Sequence, residues 1–172
     1  MIKRHFCTVL HSLVSPENVG TIVRSHVAFG GGPVVFVGRD KPWQFRKKAQ
    51  SFSRGLERLC ELIFIEHDDQ FFAWVKEQQY IPIAIEIDLA AKRLPAYPFP
   101  SRPAIIVGNE RLGLSGAFLQ RCADIVVIPQ FGRVGCLNAG VSAAIVLYEM
   151  NRQRIDADAI SGSEYACSYI RP

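Results

Sequence analysis

The chain has 172 residues, 49% of them hydrophobic and 21% charged, with a formal net charge of +4. This composition suits one globular domain with a sizeable core and excludes low-complexity or fibrous chains. The five cysteines (Cys7, Cys60, Cys122, Cys136 and Cys167) contain no C-x-x-C pair, which argues against a disulfide framework or a zinc site and for free thiols in a reducing compartment.

Taken in order, residues 6–10 read as a short strand, and Ser15-Pro16 then starts a helix, with Ser15 as cap and Pro16 in the first turn. Before it, His11 breaks the apolar run, and Pro16 and Glu17 stand where a leader peptide would need small residues. No apolar run reaches membrane-spanning length, so a cytoplasmic location without a membrane partner is expected. The first helix is predicted to run to about Phe29, where Gly30-Gly31-Gly32-Pro33 stops it. Residues 34–37 form a buried strand.

A basic segment follows. Between Arg39 and Arg58 lie seven basic residues against two acids, a surplus larger than that of the whole chain. Trp43, Phe45 and Phe52 are interleaved with it, a mixture suited to phosphate contact with base stacking. One or two short helices are expected here, and a solvated helix with core-facing aromatics accounts for the pattern equally well. Arg39, Lys41, Arg46, Lys47, Lys48 and Arg54 are the candidate contacts to nucleic-acid phosphates.

Residues 62–65 are the next strand, 68–79 a helix capped by Asp68 or its neighbour, and 82–87 a strand. Four prolines from Pro95 to Pro103 impose an extended loop. Residues 104–107 form a strand ending in Gly108-Asn109-Glu110-Arg111-Leu112-Gly113. A short helix over 115–121, a strand over 124–128 and a long apolar helix from about Asn138 to Arg152 complete the pattern. Six strands alternating with helices predict an α/β fold, a mostly parallel sheet with helices on both faces. Residues 1–155 read as one domain, and the tail 156–172 is unassigned. Ligands in such sheets bind beyond the carboxyl ends of the strands, where the glycine loops 108–113 and 132–135 fall.

Several chemistries lack their motifs. The first strand is not followed by G-x-G-x-x-G, and there is neither a G-x-x-x-x-G-K-[ST] phosphate loop nor a G-x-S-x-G elbow. The four histidines (His5, His11, His26 and His67) have no metal-ligand spacing, so no metal is expected.

Three segments match a known pattern together: Asn18-Val19-Gly20-Thr21-Ile22-Val23-Arg24, Val107 through Gly113, and Ile128-Pro129 through Cys136-Leu137-Asn138. In this order they resemble the three motifs of the SpoU/TrmH family, RNA ribose 2′-O-methyltransferases of the SPOUT class. The resemblance covers residues 6–152. It implies S-adenosylmethionine as cofactor, a deep C-terminal trefoil knot (an α/β-knot), a homodimer, and structured RNA as substrate; with no appended RNA-binding domain before Phe6, tRNA is expected over rRNA. By residue it assigns Asn18, Arg24, Glu110, Asn138 and Cys136 to the catalytic cluster. It assigns Val107, Gly108, Asn109, Gly113, Ile128, Gln130, Cys136 and Leu137 to the methyl donor. Arg24, permanently cationic, is expected to act electrostatically. For Glu110, satisfying backbone donors at a loop is nearly as strong a reading as a direct role.

The third motif departs from the usual Ser-Leu-Asn-Val-Ser, reading Cys136-Leu137-Asn138-Ala139-Gly140. Both hydroxyls are missing. Ser142, about 200° around a helix from position 140, is expected to face elsewhere, and Gly140 to admit a closely packed helix or a ligand. A catalytically impaired protein of the same fold, binding RNA or sensing the cofactor, is the alternative.

Overall fold

Runs of apolar, largely β-branched residues build strands suited to a sheet covered on both faces. The computed structural model describes residues 6–38 and 47–158. Its strands are β1 (Cys7–His11), β2 (Pro33–Val37), β3 (Glu61–Ile65), β4 (Ile81–Ile85), β5 (Lys92–Arg93), β6 (Pro103–Val107) and β7 (Asp124–Val127). All pair in parallel, in the order β3-β2-β1-β6-β4-β7-β5. Six are the strands expected from the sequence. The seventh, β5, is two charged residues long and sits at the edge, held by the ion pair of Lys92 with Asp124 and by Tyr97, whose hydroxyl donates to Asp124 Oδ2 at 2.9 Å. It carries no hydrophobic signal.

Alternate residues of each strand divide between two cores. Leu10, Phe36, Ile105 and Val126 lie beneath α1 (Pro16–Ala28) and α5 (Ala139–Asp158), while Val9, Val35, Ala84 and Ile106 lie beneath α3 (Asp68–Glu77) and α4 (Gly116–Leu119). Helices therefore cover both faces, as expected. Helix α1 starts as predicted: Ser15 Oγ accepts from Asn18 N–H at 3.3 Å, Pro16 opens the first turn, and Gly30 leaves the helix at φ +70°. Buried His26 then ties it to the sheet, its ring lying 2.8 Å from Thr8 Oγ1 and 3.0 Å from Gly32 O.

The cap position of α3 is His67, the neighbour of Asp68, without a side-chain capping bond, and the Asp68 carboxylate lies 2.9 Å from His11 Nε2 at the end of β1. One detail differs from expectation: helix α5 continues to Asp158, past the predicted end at Arg152. In the basic segment, α2 (Lys47–Ser53) and a 3-10 turn (Leu56–Leu59) match the expected short helices.

Helix α2 packs on α1 at Gly20, the glycine of the first motif. A Cβ there would lie 2.3 Å from Ala49 O and 2.6 Å from Phe52 Cβ. Gly20→Ala is therefore expected to destabilise the protein by about 1–3 kcal/mol, the usual range for overpacking. Urea unfolding would show this as a lower midpoint, and an unchanged midpoint would mean that α2 moves aside freely.

Candidate active site

Because every strand of the described sheet points the same way, β4, β6 and β7 deliver their following loops to one edge. These loops, with the start of α5, enclose a cleft of about 750 Å³. Asn18 of α1 reaches it from one side.

At its centre three motif residues bond to one another. Glu110 Oε1 accepts from Asn18 Nδ2 at 2.9 Å and from Ser15 N at 3.0 Å, while Oε2 accepts from Val14 N at 3.1 Å. Asn18 Oδ1 in turn accepts from Asn138 Nδ2 at 2.8 Å. Asn138 Oδ1 caps α5, accepting from Gly140 N at 2.8 Å and Val141 N at 3.2 Å. Every amide orientation in this chain is thus set by its neighbours. Glu110 satisfies two backbone donors, as one reading of the sequence expects, and also accepts from the Asn18 side chain. Burial works against its ionisation, but the hydrogen bonds from Asn18 and from the Val14, Glu110 and Ser15 N–H groups outweigh it and hold the carboxyl below the usual glutamate range.

The opposite wall is backbone. Gly108 has no room for a side chain, since a Cβ would lie 2.8 Å from the Gly113 carbonyl carbon, and Gly113 sits at φ +64° with Glu86 Oε2 2.6 Å from its Cβ position. Asn109 folds the loop, its Nδ2 donating to Ser12 O at 2.7 Å and its Oδ1 accepting from Arg111 and Leu112 N–H at 3.0 and 3.1 Å. Val107, Ile128, Gln130, Cys136 and Leu137 also line the cleft, so all the residues assigned to the methyl donor meet there. Glu86 lay outside every sequence motif. It directly follows β4, and its carboxylate accepts from Ile87 N at 2.9 Å and Leu114 N at 3.0 Å, fastening the glycine loop to the middle of the sheet.

Ser142 requires a correction. It lines the cleft, because the relevant reference is Asn138, one turn earlier, whose carbonyl accepts from Ser142 N at 2.8 Å. Gly140 faces α1 instead, its Cβ position 3.3 Å from Thr21 Cγ2, which is the close helix packing that the sequence raised. Arg24 is not brought into the cleft of its own chain. It is exposed on α1, six residues and about 240° beyond Asn18. Of the candidate RNA contacts, Lys48 is exposed on α2 and Arg54 exposed just after it; Arg39, Lys41 and Arg46 and the side chain of Lys47 lie outside the described residues.

A parallel α/β sheet with its ligand cleft at the carboxyl edge is the class that this geometry defines. The chain belongs to the SpoU rRNA Methylase family, whose model matches residues 5–148. It is 28% identical over 147 residues to the 23S rRNA (guanosine-2′-O-)-methyltransferase RlmB of Acinetobacter baylyi, covering 85% of this chain and 59% of that protein. It is 29% identical over 150 residues to a tRNA (guanosine(18)-2′-O)-methyltransferase of Mus musculus, covering 86% of this chain but 9% of that one. Among solved structures it is similar to the SpoU methyltransferase AviRb from Streptomyces viridochromogenes in complex with the cofactor AdoMet, with a TM-score of 0.79 and 26% identity over 90% of this chain and 60% of that one. The chain thus spans less than two thirds of the length of these relatives.

Two outcomes follow from the geometry. A carboxylate held below its ordinary pKa stabilises the fold above that ordinary value, and the contribution disappears as pH falls through the lowered one. The stability gap between the wild type and Glu110→Gln should therefore be constant from neutrality to about pH 5 and shrink below it, as measured by urea unfolding across pH; a gap independent of pH would remove the charge from the account. Glu86→Ala strands the buried Leu114 N–H at a cost of about 1–3 kcal/mol. Amide exchange at Leu114 should accelerate while the β1 amides stay protected.

Proposed function

We propose that the chain transfers the methyl group of S-adenosylmethionine to a ribose 2′-hydroxyl of structured RNA, with tRNA as the expected substrate. The observation that carries this reading is the direct bonding of Asn18, Glu110 and Asn138, from three separate motifs, beside a wall of glycine-bared backbone. The residues present fit the cofactor. The cleft volume lies within the range of small-molecule sites, Gly108 and Gly113 are among its lining residues, and Glu86 and Asp88 on its wall suit a cationic ligand. Gly108, Ile128 and Leu137 would hold it through their main chains. When bound, S-adenosylmethionine supplies an electrophilic methyl group on a positively charged sulfur.

The chain itself positions and polarises. Asn138 is the exposed end of the amide relay and Asn18 the buried one. With its carbonyl committed to the α5 cap, Asn138 presents N–H alone, and its second N–H has no acceptor among the described residues. That donor is placed to bind the ribose oxygen, while Glu110 fixes the polarity of the relay from behind. Arg24 is assigned the stabilisation of the developing alkoxide. Because Arg24 lies outside its own cleft, Arg24 of the partner subunit completes each site. Val141, Ile145 and Tyr148, exposed at helical spacing along α5, support a homodimeric contact. A C-terminal trefoil knot is part of the same proposal. It is supported by β7 lying between β4 and β5, strands consecutive in the chain, whose connection must pass over the inserted strand.

The test is transfer of tritium from methyl-labelled S-adenosylmethionine to bulk tRNA and rRNA. Label is expected in tRNA, at alkali-resistant dinucleotides. Arg24→Ala and Asn138→Ala should each lower kcat roughly a hundredfold, and equal mixtures of the two variants should regain about a quarter of wild-type activity, as two-fold symmetric dimers with shared sites require. No recovery on mixing would return Arg24 to its own chain. Label in rRNA alone would change the substrate, and donor binding without transfer would make this a cofactor-binding protein.

A further inference from the structure

The loop between β7 and α5 is anchored in the cleft at both ends, through Gln130 and Cys136, yet residues 131–135 between them are all exposed. Phe131 is 92% exposed and Leu112, on the loop after β6, 87%. Each has an exposed arginine close in the chain, Arg133 two residues after Phe131 and Arg111 just before Leu112, and neither side chain has a hydrogen bond or ion pair among the described residues. Strand β4 lies between β6 and β7 in the sheet, so these two loops flank the third. The geometry points to a nucleotide platform at the cleft mouth: Phe131 takes the face of an unpaired RNA base, with Leu112 as a second apolar contact, and Arg133 and Arg111 take the adjoining phosphates. This inference rests on the methyl-transfer reading and deepens it by naming how the RNA is held at the site.

Charge selects this occupant. Glu86 and Glu110 are half-buried on the cleft wall with Asp88 on the β4 loop, while Arg111 lines the same cleft as an exposed residue and Arg133 is exposed on the β7 loop outside the lining. A cationic donor is favoured inside and a polyanion at the rim. An aromatic face next to a guanidinium is what binds single-stranded nucleic acid without regard to sequence. The glycines agree: a Cβ at Gly132 or Gly135 would meet nothing within 4 Å, so no packing within the described chain requires them to be bare, and they leave room beside Phe131 for another molecule. The basic segment 39–58, remote in sequence, remains the candidate for the body of the RNA.

The experiment uses the full chain and the RNA fraction labelled by the wild type. Phe131→Ala removes a side chain that is 92% exposed, so the fold is retained. It should raise the KM for RNA roughly tenfold, with the calorimetric Kd for S-adenosylmethionine within about twofold of wild type and the salt dependence unchanged. Arg111→Ala combined with Arg133→Ala should instead flatten the slope of log affinity against log salt by about 1.4, as expected for two lost single-strand phosphate contacts. An unchanged RNA KM for Phe131→Ala, while the wild type transfers methyl groups normally, overturns the platform and leaves the function standing. A weakened donor Kd would make Phe131 a cover for the cofactor, and dissociation to monomers would make the loop a contact between copies; either result overturns it. A wild type that binds neither donor nor RNA overturns both readings.

Discussion

A single carboxylate joins the two halves of the site. Glu110 leaves the end of β6 and takes hydrogen bonds from the backbone entering α1 and from the side chain of Asn18. Besides it, the loop that walls the cleft is tied to the segment leading into α1 by Asn109, whose Nδ2 donates to Ser12 O, but only Glu110 reaches the side chain of the first motif. The bonds run on through Asn18 and Asn138 to the first turn of α5, so the cap of the last long helix and the start of the first are set together. An ionised group that accepts three donors is a firm anchor, and its lowered pKa is the mark of that function.

Glycine sets the spacing around this anchor. Gly20 brings α2 against α1, Gly140 brings α5 against Thr21, and Gly108 lets two stretches of one loop touch. None of these positions depends on a ligand. In a sequence they read as loop or motif glycines awaiting a cofactor, yet most are explained by contacts within the chain. The third motif shows the same distinction. The residue at 140 points to a helix, and the hydroxyl nearest the cleft on α5 belongs to Ser142.

The sheet was legible because its strands are short apolar runs punctuated by proline and glycine, and α1 because Ser15 and Pro16 are strong local signals. The three motifs also identified the cluster at the centre of the site. What escaped was non-local. Glu86 is an isolated acid whose role depends on Leu114, far along the chain, and β5 exists only because Asp124 and Tyr97 hold Lys92. Ser142 was misplaced because its rotation was measured from Gly140 rather than from the capping residue. Arg24 shares a motif with Asn18 but not a helix face, because a motif gives spacing along the chain and the helical rotation between its members must be added separately.

The position of β7 between β4 and β5 constrains the order of assembly. Strand β5 is two residues long and at the edge, and its sole pairing in the described sheet is with β7. It therefore has no template until that later segment has been inserted, and the connection 86–91 must stay open to receive it. Strands β1, β2 and β3, with α1 and α2, make their contacts without this step and can form first, whereas closing the remaining edge depends on contacts distant in sequence and is intrinsically slow. The cleft is built from the loops flanking that last closure. A chain caught midway through folding would carry an ordered amino-terminal core and no binding site, so ligand binding reports completion of the fold as a whole.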